Sequence, residues 1–516
     1  MNEIKRHIII TVFLCWIVLL ALLPTLEANA QVSIGPGGYI TVKSGGSMMI
    51  GTDLHIKSIA GSSGALADQN VNGNITITGD ITVDRYLTAD EWHTVASPVS
   101  NETSSCFTGT DLIYWYDETQ IWNDWEFGWV WYTGATGGPL VVFRGYDVLF
   151  ETTPVTVNYE ATGSETLNTG AYTYTVTNTD PTPNPYEIPS HKGWNLAGNP
   201  YPSPVDWLAT SGWDKSDIND AKYIWDGVND VYTIFVGGGS PYGVNGGTRF
   251  IPSNQGFWIQ AVLNGTIGIN NAVRLGSMTG TPDFYKLGPV DYPVISLVTT
   301  GNNKKDEVVV RFIEGTSSAF DVNYDATKLF SHIEDVPQIS IVSGNQVFAL
   351  NTMNAIIENM EINLNFQCGK SGYYSIGLNA SSYIDPSVKV YLKDKLEQKV
   401  VNLTIDSTYN FYHKPSNYKK RFSVWINPSQ DVINNIGPES YFSVSAENNV
   451  IMIVKNTTQN LSGEIVVYNM MGQLVGRDKL NNDKNSSITV DTPTGYYIVR
   501  ILTNQHTTNF KVLITN

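Results

Sequence analysis

Basic residues are scarce in this chain of 516 residues, in which lysine and arginine number 31 and aspartate and glutamate number 48. The formal net charge of −17 has the wrong sign for holding a phosphate backbone through counterion release. Charged residues of both signs make up 15% of the sequence, against about 25% in a typical soluble domain. We therefore expect no nucleic-acid partner.

Cysteine is scarcer still, with three residues in the whole chain: Cys15, Cys106 and Cys368. Cys15 lies in the N-terminal apolar segment described next. Cys106 and Cys368 are far apart in sequence and belong to regions that we assign to different domains, which opposes a disulfide between them. We expect two free, buried thiols.

Long apolar runs are missing after the N-terminus. The run at residues 8–23 follows Lys5 and Arg6 and precedes Ala28-Asn29-Ala30, which is the arrangement of a cleaved signal peptide. A membrane anchor is the alternative, but the run is shorter than the about 20 residues that span a bilayer. We interpret residues 1–30 as a signal peptide cleaved after Ala30 and expect no transmembrane span in the mature chain.

Aromatic residues and turn formers are abundant by contrast, with 13 Trp, 28 Tyr, 18 Phe, 45 Gly and 23 Pro. Aromatic side chains favour pleated sheets, whereas glycine and proline favour tight turns. The length allows several domains of about 100–200 residues. The composition predicts an all-β, multidomain protein of consecutive β-sandwich-like modules.

Residues 31–88 contain short β-prone triplets such as Ile40-Thr41-Val42 and Ile75-Thr76-Ile77, separated by Gly, Ser, Asn and Asp. This pattern predicts short strands joined by tight turns. A few coils of a β-solenoid or a set of hairpins both fit, because the spacing is too irregular for a fixed-period repeat.

The next two hundred residues contain a weak internal duplication. The matched segments are residues 92–98 with 194–200, residues 114–117 with 223–226, and residues 144–148 with 255–259. The separation of matched segments grows along the chain, as expected if one copy gained loop residues. Trp115 and Trp225 fall at similar places in the two copies, which suggests a core strand.

These matches predict one β-module at residues 89–180 and a second at 191–284, joined by a proline-rich linker at 181–190. Two separate modules or one sandwich built from two halves both fit. Regular short strands then predict a β-sandwich domain at residues 285–427 and a linker at 428–440.

Residues 441–516 have the alternation and glycine turns of a small immunoglobulin-like sandwich. Three blocks stand out: Ile465-Val466-Val467-Tyr468-Asn469-Met470-Met471-Gly472-Gln473-Leu474-Val475, then Thr494-Gly495-Tyr496-Tyr497-Ile498-Val499-Arg500-Ile501, then Lys511-Val512-Leu513-Ile514. In order, spacing and C-terminal position they resemble the C-terminal sorting domain of type IX secretion cargo. The positions that carry the motif are Gly472, Gly495, Tyr497 and Lys511.

This resemblance implies a seven-stranded β-sandwich that is handled by the type IX secretion machinery. It also implies export across the outer membrane of a Gram-negative bacterium, with release or attachment to surface polysaccharide afterwards. The middle of the chain, from Gly193 to Trp207 and at Asn254-Gln255-Gly256-Phe257-Trp258, is similar to uncharacterised surface proteins that carry the same tail. That second resemblance implies no activity.

Local motifs for catalysis and for zinc binding are recognised by the spacing of their residues. Neither a Gly-x-Ser-x-Gly elbow nor a His-Glu-x-x-His zinc site occurs. Asp214, Asp217 and Asp220 lie in an acidic stretch whose oxygen ligands would suit weak extracellular calcium binding, although a solvated acidic loop also fits. We expect no cofactor other than calcium at that stretch.

Tryptophans offer the one residue-level hypothesis for a binding site. Trp122, Trp125 and Trp129 lie among Asn123, Asp124 and Glu126, in what the duplication predicts to be a loop peculiar to the first copy. Sugar rings present apolar faces edged by hydroxyls, so indoles beside carboxylates and amides suit a glycan or partner contact. Core packing is the alternative.

The sequence favours a non-enzymatic binding or adhesion protein at the cell surface or secreted, with surface polysaccharide or an extracellular glycan as partner. A secreted polysaccharide-degrading enzyme or a glycan-binding accessory protein is the first alternative, because paired carboxylates on distant strands leave no local motif. A structural matrix or filament subunit is the second.

Overall fold

The computed structural model describes residues 31–515 except 111, 121–127, 133–137, 180–191, 276–291, 380–381, 430–440, 456–460, 482, 484 and 504–506. The signal peptide with Ala30, Trp122 and Trp125, and nearly all of both linkers lie outside the described residues. The described chain is built of strands with a few short helical turns, which confirms the all-β prediction. No helix in the described ranges is long and apolar enough to cross a membrane.

The N-terminal segment is a short parallel coil, the first of the two arrangements that the sequence allowed. Strand β1 pairs in parallel with β4 and β4 with β9, while β2 pairs in parallel with β7 and β3 with β8. Leu54 and Leu66 are fully buried inside the coil. The strands are β1 (Gln31–Ile34), β2 (Tyr39–Val42), β3 (Met48–Ile50), β4 (Asp53–Ile56), β5 (Ser58–Ile59), β6 (Ser62–Ser63), β7 (Ala65–Asp68), β8 (Ile75–Ile77) and β9 (Ile81–Leu87).

The first copy of the duplication forms a four-stranded sheet of order β10-β13-β11-β12. Its remaining two strands pair with strands outside this copy. Strand β14 pairs with β9 of the N-terminal coil along seven residues, and β15 pairs with β24 of the second copy. The strands are β10 (Trp92–Val95), β11 (Ile113–Tyr116), β12 (Trp129–Trp131), β13 (Tyr146–Leu149), β14 (Val155–Ala161) and β15 (Tyr172–Val176), with 3-10 helices at Ser104–Cys106 and Glu118–Gln120.

The second copy forms a five-stranded sheet of order β16-β23-β19-β20-β21. The strands are β16 (Trp194–Gly198), β17 (Val205–Asp206), β18 (Trp213–Asp214), β19 (Ile218–Asp226), β20 (Val231–Val236), β21 (Tyr242–Val244), β22 (Phe250–Ile251), β23 (Gly256–Ala261) and β24 (Gly265–Ile269), with a 3-10 helix at Asn271–Val273. Its first four strands repeat the order of the first copy, because β16, β23, β19 and β20 take the places of β10, β13, β11 and β12.

Strand register agrees with the sequence alignment of the two copies. Val95 pairs with Tyr146 in the first copy, and the aligned residues Ala197 and Phe257 pair in the second. Likewise Tyr114 pairs with Asp147, and the aligned residues Tyr223 and Trp258 pair with each other. The duplication is therefore present in the structure as well as in the sequence.

The two copies meet through reciprocal contacts related by a pseudo-two-fold axis. The amide of Ala96 donates to the carbonyl of Asn254 and the amide of Gly198 to that of Phe143, both at 3.0 Å. Phe143 and Asn254 are aligned residues, and both have a positive φ, at 68° and 59°. These reciprocal main-chain hydrogen bonds join the two copies. The matched positive φ angles show that the backbone has the same strained conformation on both sides of the junction.

Residues 294–426 form one continuous eleven-stranded sheet of order β33-β32-β35-β30-β28-β29-β26-β25-β31-β34, with β27 beside β29. The strands are β25 (Val294–Gly301), β26 (Lys304–Phe312), β27 (Ala326–Thr327), β28 (Gln338–Ser343), β29 (Gln346–Met353), β30 (Met360–Gln367), β31 (Gly372–Leu378), β32 (Val390–Asp394), β33 (Lys399–Asn402), β34 (Thr408–His413) and β35 (Phe422–Ile426), with a helical turn α1 (Leu403–Asp406).

This long sheet curls until its two ends face each other. Phe411 of the end strand β34 packs on Phe422 of β35, with ring centroids 4.7 Å apart. The hydroxyl of Tyr409, also on β34, donates to Asp394 of β32 at 3.0 Å. The sequence predicted a sandwich here, and the observed form is a nearly closed, barrel-like single sheet.

The C-terminal region has two sheets, of order β36-β37-β40 and β39-β38-β41-β42. Its hydrophobic core is a separate cluster formed by side chains of residues 441–514. The described strands are β36 (Phe442–Glu447), β37 (Val450–Lys455), β38 (Gly463–Asn469), β39 (Leu474–Leu480), β40 (Asn485–Thr489), β41 (Gly495–Thr503) and β42 (Thr507–Ile514). These seven strands form the small sandwich that the resemblance implied.

Candidate functional site

An aromatic cavity of about 340 Å³ opens where the two copies and the eleven-stranded sheet meet. Most of its wall is indole and phenol. The lining residues are Trp92, Thr94, Tyr114, Trp129, Asp147, Trp225, Tyr232, Trp258 and His332. A concave, mostly aromatic surface with a few polar groups has the composition of a small-molecule binding site.

Strand register explains why these side chains share one surface. Thr94 and Tyr114 are both cross-strand partners of Asp147 on neighbouring strands, and cross-strand partners point to the same face of a sheet. Trp92 lies two residues before Thr94 on β10, so it shares that face. Trp225 and Tyr232 are paired in the same way in the second copy.

The rings around the cavity stand nearly perpendicular to one another. Trp129 lies 5.4 Å from Trp258 at an interplanar angle of 89°, and 6.5 Å from Tyr114 at 82°. Trp92 meets Tyr114 at 5.7 Å and 68°. Edge-to-face contacts of this kind are favourable between aromatic rings, and here they leave ring surfaces directed toward the cavity.

The eleven-stranded sheet contributes one side chain to the rim. His332 stacks on Trp225, with ring centroids 5.0 Å apart and planes 28° from parallel. Burial lowers the pKa of His332, and the nearby Asp230 carboxylate opposes that shift. Asp230 itself forms an ion pair with Lys304. Because its pKa is lowered, the His332 imidazole at the rim is mostly neutral near pH 7.

Most of the aligned sheet face in the second copy is buried against the eleven-stranded sheet. Trp194, Tyr223 and Trp258 are at most 1% exposed, in a cluster shared with strands of the eleven-stranded sheet. The hydroxyl of Tyr223 donates to the carbonyl of Thr327 in that sheet at 2.9 Å. The aligned first-copy residues Trp92 and Tyr114 are instead partly exposed at the cavity.

The two aligned faces also differ in polarity. Where the closed face has Leu196 and Trp258, both buried, the open face has Thr94 and Asp147. A face that only needed to pack would use apolar side chains at both positions, as the second copy does. The polar replacements occur in the copy whose Trp92 and Tyr114 are partly exposed at the cavity, which is the pattern of a site and not of a core.

Asp147 is the carboxyl group among the described residues of the cavity wall. Its Oδ1 is buried and has no hydrogen-bond partner among the described residues. Burial raises the pKa of Asp147 to about 8. The neighbouring Thr94 hydroxyl does not donate a hydrogen bond to Asp147, because it donates to the carbonyl of Gly256 at 2.9 Å.

Trp129 is the member of the sequence-derived tryptophan set that the structure describes. The expectation that it lies in a loop was wrong, because β12 begins at Trp129 and pairs with β11. Its counterpart in the second copy is Tyr232, since Tyr116 pairs with Trp129 and Trp225 with Tyr232. Trp122 and Trp125 lie outside the described residues.

The suggested equivalence of Trp115 and Trp225 was also wrong, by one residue. Strand register makes Tyr116 the counterpart of Trp225. Neighbouring residues of a strand point to opposite faces, and Trp115 indeed packs under Arg144 at 4.4 Å, away from the cavity. The signal that sequence reasoning missed was Asp147, which occupies the place of a buried tryptophan.

The acidic stretch holds its carboxylates apart. Asp214 accepts from the hydroxyl of Ser216 at 2.9 Å, Asp217 from the amide of Thr266 at 2.9 Å, and Asp220 pairs with Lys215. Across the described residues, no group of three potential metal-ligating side chains forms. Calcium binding at this stretch remains a prediction, without a coordinating cluster to carry it.

Motif positions of the C-terminal sandwich are placed by turns and ladders. Gly472 has a φ of 80° in the turn between β38 and β39, and Gly495 begins β41 opposite Ile514. The hydroxyl of Tyr497 donates to the carbonyl of Pro493 at 2.8 Å. Lys511 is exposed on β42, with its Nζ 4.3 Å above the ring of Tyr496.

The two mature cysteines are free thiols. Cys368 is buried in the eleven-stranded sheet, where its Sγ lies 3.1 Å from the Tyr374 hydroxyl. Cys106 is partly buried, and desolvation raises its pKa. Cys106 therefore lacks the lowered pKa of a reactive thiol, and Cys368 lacks the open access.

Fold and site together define an exported, multidomain all-β protein with an aromatic cavity. Residues 446–515 match a secretion system C-terminal sorting domain, which makes the chain type IX secretion cargo, delivered to the surface or surroundings of a Gram-negative bacterium. The chain belongs to the family described as a domain of unknown function (DUF8693), which matches residues 20–425.

Other comparisons add little. No curated protein matches the chain. Among solved structures, one titled "Biofilm associated protein - BSP domain" is similar over 63% of this chain and 81% of its own, at 11% identity and a TM-score of 0.14. A TM-score this low supports no inference about shared fold or function.

Proposed function

We propose that this secreted protein is a non-enzymatic binding protein and that its ligand occupies the aromatic cavity. The observation that carries the proposal is the contrast between the two copies. The aligned sheet face is mostly buried against the eleven-stranded sheet in the second copy, whereas in the first copy it is open, lined by rings and provided with polar side chains.

An extracellular glycan suits the cavity. Sugar rings stack their apolar faces on indoles while their hydroxyls reach nearby polar groups. Trp92 and Trp129 are partly exposed and offer such stacking surfaces, and Thr94 and Asp147 supply polar atoms beside them. Surface polysaccharide or a glycan on another cell is therefore the partner class that we favour.

Hydrolysis of a polysaccharide receives less support. Glycosidases use two carboxyl groups about 5–10 Å apart on either side of the bond that is cut. Among the described residues that line the cavity, Asp147 is the one carboxylate. Asp124 and Glu126 lie outside the described residues, so an assay for released reducing ends is the direct check on this alternative.

The test is a glycan array probed with the mature chain, residues 31–516, followed by calorimetry with the strongest ligand. Replacing Trp129 with alanine should weaken binding by at least about fivefold, because a stacking surface of about 1–3 kcal/mol is lost. Trp92→Ala serves as a second cavity variant should Trp129→Ala fold poorly, and Trp125→Ala tests the neighbouring residue that the sequence singled out.

Tyr373→Ala is the matched control, because Tyr373 is 79% exposed on β31 and is not among the residues that line the cavity. Its affinity should equal that of the unmodified protein. The proposal fails if no glycan binds, or if a bound glycan is equally tight in the cavity variants and in the control.

A further inference from the structure

One carboxyl group, that of Asp147, lies in the aromatic cavity. Its Oδ1 has no hydrogen-bond partner among the described residues, and no lysine or arginine appears among the described lining residues. A carboxylate removed from water without a partner is costly, so its presence here calls for an explanation.

The fold itself does not require an acid at this position. The aligned residue in the second copy is Trp258, which is 1% exposed and packs in a hydrophobic cluster. Two sheets of the same strand order therefore accommodate an indole in one case and a carboxylate in the other. The acid is a feature of the open copy alone.

Rings and acid together form a cage for positive charge. The faces of aromatic rings carry negative electrostatic potential and attract a cation within about 6 Å. Trp129 stands nearly perpendicular to both Tyr114 and Trp258, so ring surfaces border the cavity from several directions. A cation among them would also stabilise the ionised form of Asp147, which burial disfavours by raising its pKa.

The polarity of the lining selects the kind of cation. A primary ammonium carries three N–H donors that each need an acceptor, whereas most of the described lining is the ring carbon of Trp92, Trp129, Trp225 and Trp258. A metal ion would need several oxygen ligands. A methylated ammonium has no such demand, because its charge is spread over an apolar surface that rings can contact.

We propose that the cavity binds a quaternary or fully methylated ammonium group, held by the rings of Trp92 and Trp129 and by the carboxylate of Asp147. The inference rests on the proposed function, in that it takes the aromatic cavity as the ligand site, and it specifies the charge of the ligand. A zwitterionic glycan substituent, a choline headgroup and a trimethylated lysine all present this chemistry.

Calorimetry of the mature chain with choline and with 3,3-dimethyl-1-butanol tests the inference, because the two probes have the same shape and differ in charge. Choline should bind at least tenfold more tightly than the neutral isostere. Asp147→Asn should reduce this preference to about twofold or less, whereas Asp214→Asn, a control on an exposed carboxylate, should leave it unchanged.

Phosphocholine and a trimethyllysine amide, measured in the same way, separate the sources of the group; tighter binding of either one, lost in Asp147→Asn, supports the inference. Equal affinity for choline and its isostere would overturn it, and so would a preference that survives in Asp147→Asn. If choline shows no preference while Trp129→Ala still weakens glycan binding, the charge assignment fails and the proposed function stands.

Discussion

At the scale of single residues, Asp147 is the most informative side chain in the molecule. It lies on a central strand of its sheet, between Thr94 and Tyr114, where β-proteins normally place apolar or ladder-forming residues. Burial raises its pKa from 3.8 to about 8. The native fold therefore holds a carboxyl group that resists ionisation.

This shift predicts how stability depends on pH. Between about pH 4 and 8 the native state retains a proton on Asp147 that the unfolded chain has lost, so stability falls as pH rises through this window. Asp147→Asn carries no such proton, and its melting temperature should exceed that of the unmodified protein near pH 9. The difference should vanish near pH 4.

Thermal unfolding of both proteins across this range is the measurement. The other titratable groups that line the cavity, Tyr114, Tyr232 and His332, are present in both proteins and cancel in the comparison. Asp214→Asn is the control, because its carboxylate is exposed. A less stable Asp147→Asn variant at high pH would show that an unseen partner holds the ionised carboxylate.

At the scale of elements, the junction of the two copies depends on small residues. Gly198 and Ala96 are aligned positions that face each other at the pseudo-two-fold axis, and a Cβ on Gly198 would overlap that of Ala96. The same Cβ would lie 2.9 Å from the carbonyl oxygen of Arg144. Close approach of the two chains, and not backbone conformation, is what requires glycine here.

Gly198→Ala should therefore destabilise the protein by about 1–3 kcal/mol, the usual cost of overpacking a core. Gly35→Ala is the matched control, because a Cβ there would meet no atom within 4 Å. Adding Ala96→Gly to Gly198→Ala should restore part of the stability, which would demonstrate the contact directly. Chemical denaturation measures all three; equal stability of Gly198→Ala and the control would contradict the described junction.

Much of this arrangement was predictable from the sequence. The matched segments of residues 92–98 and 194–200 share local patterns, so their alignment already contained the strand register that the structure shows. Parallel pairing in the N-terminal coil could not be chosen over hairpins, because short triplets such as Ile40-Thr41-Val42 suit both.

The cavity was beyond sequence reasoning for a physical reason. Its wall joins Trp92, Asp147, Trp225, Trp258 and His332, which are brought together by long-range strand pairing. An aspartate in an alternating strand is normally interpreted as a solvent-facing residue. Sequence reasoning singled out Trp129 for its tryptophan-rich surroundings, and the structure places that residue in the cavity wall.

At the scale of the whole molecule, residues 31–426 and the C-terminal sandwich are distinct. Ladders and hydrogen bonds link the parts of the first body, as where Arg274 donates from its Nε to the Ser203 hydroxyl at 2.9 Å and from its Nη2 to the carbonyl of Leu66 at 2.5 Å. The sorting domain has its own hydrophobic core. The matched family segment, residues 20–425, ends where the first body ends.

Deleting residues 441–516 should consequently leave the melting temperature of the remaining body within about 2 °C, because no core residue is lost from it. The truncated chain should accumulate in the periplasm, since the sorting domain directs the last export step. Cell fractionation and thermal unfolding together check this. Normal surface delivery, or a large loss of stability in the remaining body, would contradict the division.

The most direct test of the account is a crystal structure of the mature chain with the strongest glycan-array ligand, or choline, bound. We expect ligand density inside the cavity, in contact with Trp92 and Trp129 and beside Asp147. Ligand density at another surface, with the cavity holding solvent alone, would contradict the central claim that this open face of the first copy is the binding site.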